Sequence, residues 1–193
     1  MNIILQPARD TWGQLLQRPV TDPSLLTKQV RKVLDKVKKQ GDKALRGFTR
    51  QFDGVSLRQL AVTDKEMKAG IGQVSEELAS AIRQAKENIT RFHQAQLTAP
   101  LELETMPGVK CWRRSVAIEK AGLYVPGGTA PLFSTVLMLG IPASLGGCRE
   151  IILCTPPQKD GTDHPAVLFA AQEAGITRIF KIGGAQAIAA MAY

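Results

Sequence analysis

A stretch of 28 uncharged residues, from Ala121 to Cys148, places the strongest constraint on the fold of this chain. Its six glycines and three prolines would interrupt a membrane-spanning helix several times. An apolar run, a glycine-rich turn and a second apolar run instead predict a buried strand, a tight turn and a buried helix. This succession is typical of α/β proteins, in which a strand leads through a short turn into a helix.

The segments that follow repeat this alternation of strand and helix. Strands are predicted at 121–125, 150–154 and 179–182, and helices at 131–145, 166–174 and from 184 onward. Thr129 is the predicted N-cap of the first of these helices, whose first turn accommodates Pro131. Alternation at this spacing predicts parallel strands joined by right-handed crossovers, as in an incomplete Rossmann-like unit.

Helical periodicity dominates the first half of the chain. Helices are predicted at 11–17, 24–40, 44–53, 63–70 and 75–96. Ser24 is the predicted N-cap of the second helix, and Thr63 and Glu66 have the spacing of a capping box. Phe52 and Phe92 fall on the predicted inner faces of their helices.

A change of period marks the boundary between the two parts of the chain. Residues 101–105 alternate between apolar and polar side chains, Pro107-Gly108 forms a turn, and residues 109–118 predict the second strand of a hairpin. Residues 60–62 are a further short strand candidate. We therefore predict an α/β protein with a helical region and hairpin at 1–118, as part of a first α/β domain, and the incomplete Rossmann-like unit at 119–193.

The net charge of +8 raises the question of a polyanion-binding surface. Nine basic residues fall between Lys28 and Arg50, against two aspartates. Valines and a leucine at helical spacing run through the same segment, which predicts a solvated outer face on an amphipathic helix. No interleaved aromatic residues accompany the cations, so we predict no nucleic-acid partner, and a polyanion-binding module is the alternative.

The cysteines and the N-terminus bear on the compartment of the protein. Cys111, Cys148 and Cys154 follow no CxxC pattern, which predicts a reduced, cytoplasmic setting and thiols that pack rather than react. The first residues lack the basic region and cleavage site of a secretory signal. No apolar segment is long and uninterrupted enough to span a bilayer, so we predict no membrane association.

Two glycine pairs, Gly127-Gly128 and Gly183-Gly184, follow predicted strands. Ligands of parallel α/β sheets bind beyond the carboxyl ends of the strands, where helix N-termini offer free N–H groups. Tyr124 and Gln186 would flank the same crevice as the glycines. The alternative is that the glycines are tight turns only, with a core tyrosine and a surface amide, because neither GxGxxG nor a P-loop motif is present.

A resemblance to the N-terminal half of the histidinol dehydrogenases is carried by two long segments, PGGTAPLFSTVLMLGIPASLGGCREIILCTPP and HPAVLFAAQEAGITRIFKIGGAQAIAAMAY. GDKALRGFTRQFDG and ENITRFHQAQ are similar in kind and order, so the resemblance covers essentially the whole chain. Members of that family run to more than twice this length. The last predicted helix ends without a glycine cap or a basic last turn, so we expect a truncated chain.

The resemblance implies an enzyme of histidine biosynthesis that oxidises L-histidinol to L-histidine through the aldehyde, with NAD and zinc. It implies that Tyr124 and Gln186 contact NAD. A further NAD-contacting asparagine, the zinc ligands and the Glu-His pair that moves protons would lie beyond Tyr193. It also implies a cytoplasmic homodimer whose small-molecule substrate is L-histidinol.

The residues themselves indicate that the metal chemistry lies elsewhere. A catalytic zinc site needs about three converging protein ligands, and the only histidines of the chain are His93 and His164. We therefore predict no catalytic or metal-binding residue in this chain and no activity for the chain alone. The alternative is a non-catalytic scaffold that dimerises through an exposed sheet, and missing strands also predict self-association.

Overall fold

The computed structural model describes residues 3–18, 22–128 and 130–193. Its helices are α1 (Trp12–Leu15), α2 (Ser24–Gln40), α3 (Asp42–Phe48), α4 (Asp64–Ile71), α5 (Glu76–Gln94), α6 (Phe133–Leu145), α7 (Pro165–Glu173) and α8 (Gly184–Ala192). Its strands are β1 (Leu101–Met106), β2 (Val109–Arg113), β3 (Lys120–Tyr124), β4 (Glu150–Thr155) and β5 (Arg178–Lys181). A 3-10 turn at Arg9–Thr11 precedes α1, and a π-helical segment at Thr49–Asp53 continues α3. Within the described ranges, no helix is long and apolar enough to cross a membrane.

The larger sheet has three parallel strands in the order β3-β4-β5, as the alternation of elements predicts. Helices α5, α6 and α7 cover one face, where Ile151 and Leu153 of β4 are buried. Helices α2, α3 and α8 cover the other face, where Cys154 and Ile182 are buried. The sheet therefore lies between two helical layers, and the predicted α/β class is confirmed.

Helices from both parts of the chain share these layers. Helix α2 packs against α8, and α5 packs against α6 and α7. A parallel sheet needs apolar cover on both faces, and the N-terminal helices supply much of it. The division of the chain between residues 118 and 119 stays a prediction.

The segment predicted as a short strand at 60–62 covers the outer edge of β5. The Val62 N–H donates to the Ile179 carbonyl oxygen at 2.9 Å, and the Lys181 N–H donates to the Leu60 carbonyl oxygen at 2.8 Å. These bonds follow an antiparallel pattern centred on a bridge between the strand and residue 61. The edge that β5 would otherwise present is therefore hydrogen-bonded within the chain.

The hairpin forms, but it is shorter than predicted. Strand β1 pairs with β2 in antiparallel register, and the pairing ends where Leu101 meets Arg113. The prediction that β2 runs to residue 118 is wrong, because β1 offers no partner beyond Leu101. Every residue of both strands is exposed, and so are Val116 and Ile118 after them.

The predicted caps of three helices have different outcomes. The Thr63 hydroxyl accepts the Glu66 N–H at 3.2 Å, while the Glu66 carboxylate accepts the Thr63 N–H at 2.7 Å, so the capping box is confirmed. Ser24 is not an N-cap, because it is the first residue of α2 and its N–H donates to the Asp22 carboxylate at 2.9 Å. Helix α6 begins at Phe133 rather than residue 131, and its predicted cap, Thr129, lies outside the described residues.

Two aromatic side chains that were predicted to face inward are exposed. Phe52 is 56% exposed because the π-helical segment turns it away from the face that buries Phe48. Its ring stacks on the ring of Phe48. Phe92 is 66% exposed near the end of α5, whose buried residues, Ala79 and Ile82, lie in its first half.

The basic segment folds as its pattern predicts. All nine cations between Lys28 and Arg50 are exposed, whereas Val37 is buried and Val33 and Leu34 are half-buried against α8 and the sheet. The solvated outer face of an amphipathic α2 is therefore confirmed.

Candidate functional site

The two diglycine turns lie on the same rim of the sheet. Both follow parallel strands, β3 and β5, at their carboxyl ends. Pro156, which follows β4, lies between them. A Cβ atom on Gly127 would come within 2.6 Å of the Pro156 ring, and one on Gly183 would come within 2.7 Å of it. The absence of a side chain at each glycine therefore lets both turns pack against one proline.

Tyr124 links the end of β3 to the start of α8. Its hydroxyl oxygen accepts a hydrogen bond from the Gly184 N–H at 3.0 Å. The ring is half-buried among the residues that α8 covers. Because the oxygen acts as the acceptor, the phenolic O–H remains able to donate to a ligand at the rim.

Gln186 lies in the first turn of α8 and is buried, with 2% of its surface exposed. A Cβ atom on Gly184 would come within 2.6 Å of the Gln186 Oε1 atom, so the carboxamide folds back over the start of its own helix. Gly184 also has a φ of +64°, which favours glycine. The alternative of a surface amide is wrong, and the structure brings Gln186 to the glycine that Tyr124 contacts.

A crevice of about 290 Å³ opens at the same rim of the sheet, between the starts of α6 and α7. Its walls come from the ends of β3 and β4 and from the loop before α7: they include Gly127, Gly128, Thr155, Pro156, Asp163 and His164. Ligand pockets range from about 300 to 1,000 Å³, so this crevice has room for part of a dinucleotide. Tyr124 and Gln186 lie on the α8 side of the sheet, and they do not line the crevice itself.

A buried group of charged residues under the rim was missed by sequence reasoning. The Lys181 Nζ atom lies 2.5 Å from Glu66 Oε1. Asp163 is 6% exposed, and neither carboxylate oxygen has a hydrogen-bond partner in the described structure. Burial raises the pKa of Asp163 to about 7, with Lys181 opposing the rise and Glu66 adding to it. Burial also opposes ionisation of Glu66, but hydrogen bonds from Lys181 and Thr63 lower its pKa overall.

The two histidines have structural roles. The His164 Nδ1 atom accepts the Ala166 N–H at 3.2 Å and so caps α7. The His93 Nδ1 atom lies 3.1 Å from the Gln96 Oε1 atom near the end of α5. Among the residues that the structure describes, no group of three His, Cys, Asp or Glu side chains could hold a metal ion.

The cysteines offer no activated thiol at the rim. Cys154 is buried on the central strand, and burial raises its pKa to about 11. A thiol with a raised pKa carries little of the reactive thiolate. Cys148 is half-buried and Cys111 is exposed, and all three thiols are free.

Comparison with known proteins decides the family. The histidinol dehydrogenase family model matches residues 16–193. The chain belongs to the histidinol dehydrogenase family. It is 54% identical to the histidinol dehydrogenase of Bacteroides thetaiotaomicron over 193 residues, which cover 100% of this chain and 45% of the relative. It is 50% identical to that of Xylella fastidiosa over 196 residues, which cover 100% of this chain and 46% of the relative.

A solved structure agrees with this assignment. The crystal structure of histidinol dehydrogenase from Elizabethkingia anophelis superposes with a TM-score of 0.90 and 48% identity, covering 96% of this chain and 43% of that one. The resemblance found in the sequence is therefore confirmed. The chain spans about 45% of the length of the histidinol dehydrogenases it matches.

Proposed function

We propose that this chain forms the NAD-contacting part of a zinc-requiring histidinol dehydrogenase, an enzyme of histidine biosynthesis that oxidises L-histidinol to L-histidine through the aldehyde. Membership of the family supports the reaction. The observation that supports the cofactor site best is the hydrogen bond between Tyr124 and Gly184. It lies at the rim where both diglycine turns pack against Pro156. The carboxyl rim of a parallel sheet is where such folds bind dinucleotides.

The proposed roles of Tyr124 and Gln186 are those that the family resemblance implies, and their position at the rim supports them. Tyr124 would donate a hydrogen bond to the cofactor through its phenolic O–H, while the hydrogen bond from the Gly184 N–H holds its oxygen in place. Gln186 contacts the cofactor through its carboxamide, which lies beside the same glycine. Bound NAD would accept a hydride in each of the two oxidations. The open side of Gly128, where a Cβ would meet nothing closer than 4.0 Å, leaves room for the cofactor backbone.

The zinc ion of the proposed enzyme is assigned to no residue of this chain. The described residues offer no suitable ligand group, so they do not fit the ion. We also propose that the chain alone does not turn over L-histidinol, that the enzyme is a homodimer, and that it works in the cytoplasm. The free thiols support a reducing compartment.

Calorimetric titration with NAD tests the proposed site. Tyr124→Phe keeps the ring and removes the hydroxyl, so we expect NAD to bind about 5- to 10-fold more weakly, which corresponds to one hydrogen bond. Tyr193→Phe is the matched control, because Tyr193 is 64% exposed and follows the last turn of α8, at the end of that helix opposite the rim. Equal NAD affinity in the wild type and Tyr124→Phe would contradict the role of Tyr124, and no NAD binding by the wild type would contradict the site.

An NADH-formation assay tests the proposed inactivity. With L-histidinol, NAD and added zinc, we expect no turnover above the buffer rate, because no described residue group can hold the metal. The same assay with an active histidinol dehydrogenase checks the reagents. Turnover by the 193-residue chain would refute the proposal that it is inactive alone.

A further inference from the structure

A second cavity lies on the opposite side of the sheet from the rim crevice and has a volume of about 430 Å³. Its walls come from α3, the segment at 58–61, strands β4 and β5, and the end of α8. Most of these walls are apolar: they include Leu45, Leu60, Ile152, Phe180, Ile182 and Met191. Ligand pockets are lined mainly by apolar side chains, with a few polar groups that fix the orientation of the ligand.

Three arginines are among the residues that line this cavity. Arg46, Arg58 and Arg178 line it together with one carboxylate, that of Asp42. Arg178 begins β5 and Ala190 and Met191 end α8, so the cavity reaches the amino end of the sheet, away from the glycine rim. The Arg178 guanidinium also lies 5.7 Å from the centre of the Phe180 ring. The lining of the cavity therefore combines apolar side chains with the guanidinium groups of three arginines.

The three guanidinium groups differ in how they are held. Arg46 donates to the Arg58 carbonyl oxygen at 3.3 Å and lies 3.4 Å from the Asp42 carboxylate. Arg178 pairs with Glu150. Across the described ranges, the Arg58 guanidinium has no hydrogen-bond or ion-pair partner. Exposed ion pairs such as Arg46 with Asp42 contribute little, so an incoming anion competes with them at small cost.

We propose that this cavity binds a medium-chain carboxylate, with the hydrocarbon chain among the apolar walls and the carboxylate on Arg58. Guanidinium groups suit carboxylates because they offer paired N–H donors in a plane. The Arg58 guanidinium, which has no partner among the described residues, would repel a cationic amphiphile, and the mostly apolar lining would offer a sugar or nucleotide few hydrogen-bond partners. This site is separate from the NAD site proposed above, so either can fail without the other.

Octanoate is the probe for this proposal, and titration calorimetry with the 193-residue chain is the measurement. We expect octanoate to bind about tenfold more tightly than octanol, because charge-assisted hydrogen bonds are worth more than neutral ones. Octyltrimethylammonium, which has the opposite charge, is expected not to bind. Equal affinity for octanoate and octanol would overturn the proposal.

Methyl NMR locates the bound probe. Octanoate is expected to shift the methyl signals of Ile152 and Ile182, which line the cavity, and to leave Ile141 in the opposite core unchanged. Shifts at Ile141 with none at Ile152 would overturn the proposal. Shifts that follow protein concentration instead of octanoate would show that a second copy fills the cavity, which also overturns it.

Variants separate the charge from the cavity. Arg58→Gln is expected to weaken octanoate binding about tenfold, while Arg91→Gln on the exposed face of α5 is the matched control and leaves it unchanged. Ala190→Leu places a larger side chain in the cavity wall and is expected to abolish binding. Should Ala190→Leu fail to fold, the arginine pair decides: unchanged affinity in Arg58→Gln contradicts the proposal.

Discussion

Strand β4 and the hairpin β1–β2 are both rich in apolar residues, yet only β4 is buried. Leu153 of β4 is fully buried, whereas Leu103 of β1 is 57% exposed. Strand β4 lies between two parallel neighbours and under helices on both faces. Among the described residues, β1 and β2 pair only with each other. Burial is therefore decided by the elements that cover a strand, and a strand with apolar residues is not by itself part of a core.

Because no helix or strand covers the hairpin in the described structure, its apolar side chains remain exposed. An isolated two-stranded ribbon is marginally stable at best in water, and this one exposes Leu101, Leu103, Met106 and Trp112. We therefore predict that the chain associates through apolar surface of this kind. Sedimentation velocity checks it, with a monomer at high concentration as the contradicting result.

Truncating one leucine in each region gives the largest expected difference. Leu153→Ala removes a fully buried side chain from the central strand, and we expect a loss of about 3–4 kcal/mol in the free energy of unfolding. Leu103→Ala in the exposed hairpin is the matched control and is expected to change it by less than about 0.5 kcal/mol. Urea unfolding measures both, and similar losses would show that the hairpin is covered.

Two neighbouring glycines at the rim differ in how closely they are packed, and substituting each by alanine tests this difference. Gly127→Ala would place a Cβ 2.6 Å from the rigid Pro156 ring, and we expect a loss of about 2 kcal/mol in unfolding free energy. Gly128→Ala meets nothing closer than 4.0 Å and serves as the control, with little expected change. Thermal unfolding measures both, and equal melting temperatures would contradict the packing of Pro156 against Gly127.

The burial of Asp163 can be tested through the pH dependence of the free energy of unfolding. Burial raises the pKa of Asp163 to about 7 from its ordinary value of 3.8, so its contribution to stability is present at low pH and is lost as the pH rises through 7. Asp163→Asn stays neutral, and we expect it to be more stable than the wild type by about 1–2 kcal/mol at pH 8 and equal to it near pH 4.

Unfolding at both pH values measures this difference. Asp160→Asn is the control in an exposed loop, where the Thr162 amide and hydroxyl donate to the Asp160 carboxylate and lower its pKa. That carboxylate stabilises the fold above its unfolded pKa and loses the effect as the pH falls, so Asp160→Asn is not expected to gain stability at pH 8. A wild-type stability that does not fall between pH 5 and 8 would contradict the burial of Asp163.

The smallest effect is expected on the outer face of α2. Lys32→Glu with Lys39→Glu reverses two exposed cations, and we expect the free energy of unfolding to change by less than about 0.5 kcal/mol. Fluorescence anisotropy with a DNA duplex at several salt concentrations tests the polyanion-binding alternative. Tight binding by the wild type that falls steeply with salt and is lost in the variant would support that alternative.

The parts of the fold that follow from local sequence were predicted well. Strands β3, β4 and β5 lie within about one residue of their predicted bounds, because apolar runs between glycines and charged residues have few other solutions. The capping box of Thr63 and Glu66 also follows from local sequence, because the spacing of the two residues defines the motif. The length of β2 and the exposure of Phe52 were not, because they depend on pairing partners and on an irregular helical turn.

The candidate site was predicted in part. The sequence places Tyr124 and Gln186 near the glycine turns, since parallel strands end on one rim. It does not predict that the Tyr124 oxygen accepts the Gly184 amide, which depends on the depth of the ring beneath α8. Asp163 was missed because its burial, and its proximity to the charges of Glu66 and Lys181, arise only when the chain folds.

Pro156 has a consequence for how the rim tolerates change. The pyrrolidine ring has almost no internal freedom, and both Gly127 and Gly183 rest against it. The separation of the two turns is thus set by the width of a single rigid residue at the exit of the middle strand. A substitution at either glycine would disturb one side of the rim, whereas a substitution at Pro156 would alter the spacing on both sides together.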